Sequence, residues 1–319
     1  MRKFLGQPFL VGLAAILAFS SCEKKEYQTV TELDEQNIQQ YIRQNNLDVE
    51  PLGTTGMYYQ VLDQGDGVAL AYDQIVPLVY SFKTLDGNYS SADTFNVSNR
   101  YADFLGYFPY GSAVASNNPG SPLDKEEGMK VALNQALKFA NGKIRILVPS
   151  RLAYGKNGSG DIGSNQSLDY TIHAIDPDHM PAYEDQSIQQ YLDKTGTPAS
   201  SFLKTESGIY YHIAEPGTGT QITPEASLKV GYTLRTLNGK ILEQSPTDST
   251  TMNLATTISG WKEILPKIKA GGKVRMVIPS TQAYGLKGNV SSTTGVNSIP
   301  PFSALDFEVS VKSADNTIN

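Results

Sequence analysis

The chain has little of what most reaction chemistry needs. Its 319 residues hold one cysteine, Cys22, so no disulfide can form within it. Three histidines, His173, His179 and His212, share no zinc-type spacing. No metal-ligand cluster, catalytic cysteine or Ser/His/Asp arrangement is legible, and no cofactor is implied. Basic residues are in deficit: 26 Lys and Arg stand against 32 Asp and Glu, for a net charge of −6. That excludes the basic surface that nucleic-acid binding requires. Long hydrophobic runs are also missing. Phe9 to Phe19 is an apolar stretch of 11 residues, too short to span a bilayer. Apolar residues still make up 39% of the chain, enough to bury the cores of two ordinary domains.

That short apolar stretch has a reading of its own. Arg2 and Lys3 precede it, Ser20-Ser21 follow, and Cys22 comes next, the order of a secretory signal. A lone cysteine at this place resembles a bacterial lipobox, in which the cysteine is lipidated and becomes the N-terminus. Phe19 departs from the aliphatic residue usual there, and the alternative is a plain signal with a spare thiol. Residues 1–22 are therefore expected to be a signal and lipobox, and the polar residues 23–34 a flexible tether. An exported protein of the cell envelope, held to the membrane through Cys22, is the expectation.

The rest of the chain repeats. Glu35-Gln-Asn-Ile-Gln-Gln-Tyr-Ile42 matches Asp185-Gln-Ser-Ile-Gln-Gln-Tyr-Leu192 at an offset of 150. Gly56-Met-Tyr-Tyr59 matches Gly208-Ile-Tyr-Tyr211 at 152, as Tyr80 does Tyr232. Gly142 to Gly155 matches Gly272 to Gly285 at 130, with 8 of 14 residues identical. Leu168-Asp-Tyr170 matches Leu305-Asp-Phe307 at 137. The matches keep their order, which marks a duplicated domain. The boundaries read as 35–178 and 179–314, joined by the proline-marked link Asp176–Pro181, expected to be semi-rigid. The first copy carries 22 extra residues within 88–128. Tyr89, Phe95, Tyr101, Phe104, Tyr107, Phe108 and Tyr110 lie there, as a client-binding flap or as an insert packed on its own domain.

Each copy has the same pattern. A short amphipathic helix (Ile38, Tyr41, Ile42; Ile188, Tyr191, Leu192) precedes strands at Met57–Leu62 or Ile209–Ala214 and at Ile75–Thr84 or Leu228–Thr236. In the second copy Trp261, Ile264, Leu265 and Ile268 share the face of a short helix that Gly271-Gly272 should stop. Val274, Met276 and Ile278 then alternate along a strand with one buried face, which Pro279 ends. His173 falls in the alternating run Tyr170–Ile175 and reads as an ordinary strand residue. Many strands around one helix predict an α+β domain, an antiparallel sheet curled over the helix.

The motifs Ile258-Ser-Gly-Trp261, Gly-Gly-Lys-Val-Arg275, Ile-Pro-Ser-Thr-Gln-Ala-Tyr284-Gly, Ile299-Pro-Pro and Leu-Asp-Phe307 stand in an order that resembles the FKBP-type peptidyl-prolyl cis-trans isomerases. The resemblance covers about 208–312 and, less well, 56–176. It implies two FKBP-like domains and an aromatic pocket for a substrate proline. Trp261 would be the floor, with Tyr232, Tyr284 and Phe307 as walls. Ile258 and Ile299 would form the rim, with backbone N–H groups toward the peptide. Leu242-Glu243 stands where the family usually has Phe-Asp, and Glu243 would orient a tyrosine. An expected pocket phenylalanine has only Met252 and Leu254 as counterparts. In the first copy Tyr80, Tyr154, Ile162 and Tyr170 fall at the wall and rim positions. Val131, Ala132 or Leu133 replaces the tryptophan, so that copy reads as degenerate. The implied partners are proline-containing polypeptides of exported proteins. The competing readings are a non-catalytic peptide-binding chaperone and a structural envelope lipoprotein.

Overall fold

In the computed structural model the described residues are 28–71, 75–90, 100–104, 132–290, 297–299 and 301–317. The signal, Cys22 and most of the aromatic insert, including Phe95, Tyr107, Phe108 and Tyr110, lie outside them. Helix α1 spans Val30–Gln44. Its N-terminus is fixed by a capping box: the Thr29 side chain accepts from the Glu32 N–H, and the Glu32 carboxylate accepts from the Thr29 N–H at 2.8 Å. The expected tether is therefore shorter at its end, since residues 30–34 are already helical.

Strands β1 (Glu50–Pro51), β2 (Tyr58–Asp63), β3 (Ile75–Thr84), β4 (Arg100–Phe104), β5 (Lys143–Val148) and β6 (Leu168–Ala174) form one antiparallel sheet, ordered β1-β2-β5-β6-β3-β4. Helix α2, Met180–Lys194, follows. Strands β7 (Leu203–Lys204), β8 (Tyr210–Glu215), β9 (Ser227–Thr236), β10 (Ile241–Asn253), β11 (Lys273–Ile278) and β14 (Leu305–Asp315) form a second. Its order, β7-β8-β11-β14-β9-β10, is the first order repeated strand for strand. The register repeats too: Ile146 faces Tyr170 as Met276 faces Phe307, and Phe82 faces Tyr170 as Leu234 faces Phe307. A hairpin of β12 (Asn289–Val290) and β13 (Asn297–Ile299) completes the second unit.

Each sheet has two faces with different work, because side chains alternate along a strand. On the outer face a helix docks through the same polar network in both copies. Tyr41 Oη donates to Asp169 at 2.8 Å, and Arg145 Nε donates to the same carboxylate at 2.8 Å. Tyr191 Oη donates to Asp306 at 2.7 Å, and Arg275 donates to it through Nε and Nη2 at 3.1 and 3.0 Å. A second tie joins each helix to the turn after the central strand. Asp34 accepts from the Arg151 N–H, and Glu184 from the Ser280 N–H. On the inner face the apolar residues Ile144, Ile146, Val148, Val274, Met276 and Ile278 make two separate cores.

Three expectations need correction. The link Asp176–Pro181 is not a separate joint: a 3-10 turn at Pro177–His179 runs into α2, which starts at Met180. The tryptophan helix, α3, is only Ser259–Ile264, because Pro266 lacks the N–H needed to continue it and Leu265–Lys267 tightens to 3-10. Ile268 is buried but extended. Strand β11 is buried on both faces near its end, since Val277 packs under α2 with Ile188 and Tyr191. In the first copy, a five-residue π turn at Leu133–Leu137 stands near the place of α3. No helix among the described residues is long and apolar enough to cross a membrane.

Candidate functional site

The inner face of the second sheet holds a cavity of about 460 Å³, lined by Tyr232, Leu234, Glu243, Met252, Thr256, Thr257, Ile258, Ser259, Trp261, Ala283, Tyr284 and Phe307. Each aromatic arrives from a different element. Tyr232 is on β9, Phe307 on β14, Trp261 on α3 and Tyr284 in the turn after β11. Helix α3 lies close on the sheet because Gly260 has no side chain. A Cβ there would stand 2.7 Å from the Cδ1 and Cγ2 atoms of Ile278, itself fully buried. That close approach brings Trp261 over the inner face.

The rings hold one another edge-on. Trp261 meets Tyr232 at 5.5 Å and Phe307 at 5.4 Å between centroids, at 86° and 84°. Such T-shaped contacts place the positive edge of one ring on the negative face of another. The indole Nε1 is buried and has no hydrogen-bond acceptor among the described residues. Ring packing, rather than a hydrogen bond, therefore sets the orientation of Trp261.

Glu243 reaches the cavity through a β-bulge. Ile241 pairs with Arg235 and Glu243 with Leu234, so Leu242 is the extra residue on β10. The bulge turns Glu243 to the face of Tyr232, whose hydroxyl donates to its carboxylate at 2.8 Å. Burial, then that hydrogen bond and the charge of Glu243, push the Tyr232 phenol up to about 12. Burial first, and Glu243 second, also raise the Tyr284 phenol. Both hydroxyls stay protonated at physiological pH, at a cavity whose walls mix aromatic rings with Glu243, Thr256, Thr257 and Ser259.

The structure gathers Tyr232, Glu243, Ile258, Trp261, Tyr284 and Phe307 around one space. It does not gather all the expected residues. Leu242 packs on the core outside the cavity lining, and Ile299 is buried in the core, pairing with Asn289 across the hairpin. Of the two apolar alternatives before Ile258, Met252 lines the cavity and Leu254 is core. Leu234 is a lining residue that motif reading passes over. Its signal was its partner at an offset of 152, Phe82.

In the first copy that partner changes the site. Phe82 stacks on Tyr170 at 5.0 Å and lies 5.6 Å from Tyr89 and 6.4 Å from Tyr80. Tyr80 and Tyr170 stand at the wall positions, but Phe82 sits among them. Tyr154 packs at the edge of this core and Ile162 is buried in it. Ala132 and Leu133 are buried near the place of the tryptophan, and Val131 lies outside the described residues. Tyr89, from the insert, is packed on its own domain.

The family model for FKBP-type peptidyl-prolyl cis-trans isomerases matches residues 219–312. A probable FKBP-type peptidyl-prolyl cis-trans isomerase of Haemophilus influenzae is 29% identical over 188 residues, covering 56% of this chain and 74% of that protein. The FKBP-type peptidyl-prolyl cis-trans isomerase FkpA of Escherichia coli K12 is 36% identical over 110 residues, covering 34% of this chain and 38% of its own length. The chain thus spans well under half of that relative. Among solved structures, a peptidyl-prolyl cis-trans isomerase of Pseudomonas syringae pv. tomato is 28% identical with a TM-score of 0.36, over 44% of this chain and 98% of that one.

Proposed function

On the premise that residues 219–312 are a domain of the FKBP-type peptidyl-prolyl cis-trans isomerase family, we propose that the second copy rotates X-Pro bonds in its aromatic cavity. The observation that carries this is the cavity itself, walled by Tyr232, Trp261, Tyr284 and Phe307. Rotation needs no nucleophile. The planar amide resists twisting by roughly 18–20 kcal/mol because twisting breaks resonance. It is also more dipolar than the twisted form. An apolar pocket therefore favours the twisted transition state over the planar ground state. A thousandfold acceleration asks for only about 4 kcal/mol. Trp261 forms the surface on which the proline ring rests. Tyr284 donates to a substrate carbonyl, and the N–H group of Ile258 offers a further donor to the peptide. Glu243 holds the Tyr232 hydroxyl and so fixes that ring.

The chain is, on this reading, a tandem of two FKBP-like domains, 35–178 and 179–314, each an antiparallel sheet with its own core. The first is the non-catalytic member, and Phe82 among its wall residues supports that. It keeps the fold as a holding or spacing unit. The signal-like N-terminus and Cys22 support export and lipid anchoring at the cell envelope, with proline-containing exported polypeptides as clients.

The full chain should accelerate cis/trans exchange of an X-Pro tetrapeptide, and Trp261→Ala should lose at least about a hundredfold of that rate while Trp261→Phe keeps part of it. An intact chain that binds the peptide without accelerating exchange would instead identify a chaperone.

A further inference from the structure

We propose that the first copy supports the second copy's binding site, because it anchors, through Phe302 and Leu286, the chain that follows the cavity wall Tyr284. The inference rests on the reading of the second cavity as the peptide site. It makes Phe302 a positioning residue, since its side chain lies outside the cavity lining.

The turn after β11 carries Tyr284, a cavity wall, and the chain returns through the buried Ile299 to Phe302 and then β14. The base of this loop is closed by the Phe302 N–H, which donates to the Gly285 carbonyl at 2.9 Å. The first copy makes the same closure: the Asn165 N–H donates to the Gly155 carbonyl at 2.8 Å. Both residues have positive φ, 36° at Phe302 and 54° at Asn165. Asparagine tolerates that region, whereas a bulky phenylalanine there is an outlier. Such strain persists only where the surroundings over-determine it.

The surroundings of Phe302 come from across the copy boundary. It is fully buried in a cluster with Val79 of β3 in the first sheet and with Ile175 and Met180 at the junction. Leu286, two residues beyond Tyr284, and Tyr183 of α2 pack against the same cluster. None of these apolar contacts follows from the repeat. At the equivalent positions Phe302 is Asn165, Leu286 is Lys156, Val79 is Gly231 and Ile175 is Lys312. The apolar choices lie at a place where the copies meet. There they fix the chain at Leu286, two residues beyond the cavity wall Tyr284, and at Phe302.

The test uses the full chain. Val79→Ala removes a partner that belongs only to the first copy, and Phe302→Asn installs the residue that suits the backbone but not the cluster. Each should raise KM for an X-Pro tetrapeptide on the order of fivefold, with kcat held within about twofold, the size expected of coupling through packed side chains. Phe302→Leu should restore most of the affinity. The single indole N–H resonance, from Trp261, should shift in both variants without any ligand. Unchanged KM together with an unmoved indole signal in both variants overturns the anchoring. A wild-type chain that fails to accelerate exchange refutes the isomerase reading alone. The indole signal then decides the anchoring: a shift in both variants supports it, and no shift overturns it.

Discussion

The two inner faces of this molecule share strand order, register and tyrosine positions, yet one lines a cavity and the other carries a phenylalanine stacked among its wall residues. The difference turns on few residues. Where the second copy has Leu234, the first has Phe82, stacked on Tyr170. Where the second brings Trp261 over the sheet on α3, the first has a π turn with Ala132 and Leu133 buried beside it. Adding a ring at one wall and burying Ala132 and Leu133 near the place of the tryptophan changes the site without disturbing the sheet that bore it. The outer faces show the reverse. Both keep an aspartate joined to a tyrosine and an arginine, so the scaffold is retained where the pocket is not.

The largest expected effect tests that shared scaffold. Asp306→Asn and Asp169→Asn each leave a partly buried arginine without its anion, and each should cost about 3 kcal/mol in a denaturant titration. A large inequality between them would break the equivalence of the two outer faces. Next comes exchange of the wall residues. Leu234→Phe should fill the second cavity and weaken peptide binding at least tenfold, about 1.4 kcal/mol, measured by Trp261 fluorescence. Unaltered affinity would show that Phe82 is not what closes the first site. Phe82→Leu in the first copy should cost roughly 1 kcal/mol of stability by opening a void, without adding isomerase rate.

The smallest effect is on pH dependence. Burial, with Lys143 second, holds the His173 imidazole below its usual range, where it meets Tyr183 edge-on at 5.9 Å. The unfolded chain then takes up this proton first as pH falls. The stability that His173 contributes is full above its ordinary pKa, near 6.5, and is lost as pH drops through the lower folded value. His173→Gln should flatten that decline in a thermal-melt series. The second copy has Ser310 at the equivalent position and adds no such slope. At the alkaline end, the raised Tyr232 phenol contributes stability that is full below about 10 and is lost toward about 12.

Much of this was legible in the chain. The repeat offsets fixed which strands correspond, and the observed registers keep those offsets to the residue. The cavity aromatics were legible because their motifs are local to strand ends and turns. What was not legible is non-local. Leu168-Asp-Tyr170 and Leu305-Asp-Phe307 read as strand repeats, but nothing near them says that a helix more than a hundred residues earlier sends a tyrosine to each aspartate. A search for aromatics the first copy has lost does not register Phe82, which it has gained. The shortness of α3 follows from Pro266, a stop stronger than the glycines beyond it.

The junction around Phe302 has a consequence for assembly. Units that stack by one face invite a third, and such stacks need capped ends. A second chain brought up in the same arrangement would set its Val30, Leu33, Lys156 and Asn165 against Gly231 and Lys312. Two lysines would stand at that contact where Leu286 and Ile175 stand at the junction, and desolvating their ammonium groups costs more than Val30 and Leu33 could return. The apolar residues that close the contact between the two copies are not repeated at the equivalent positions of the outward faces.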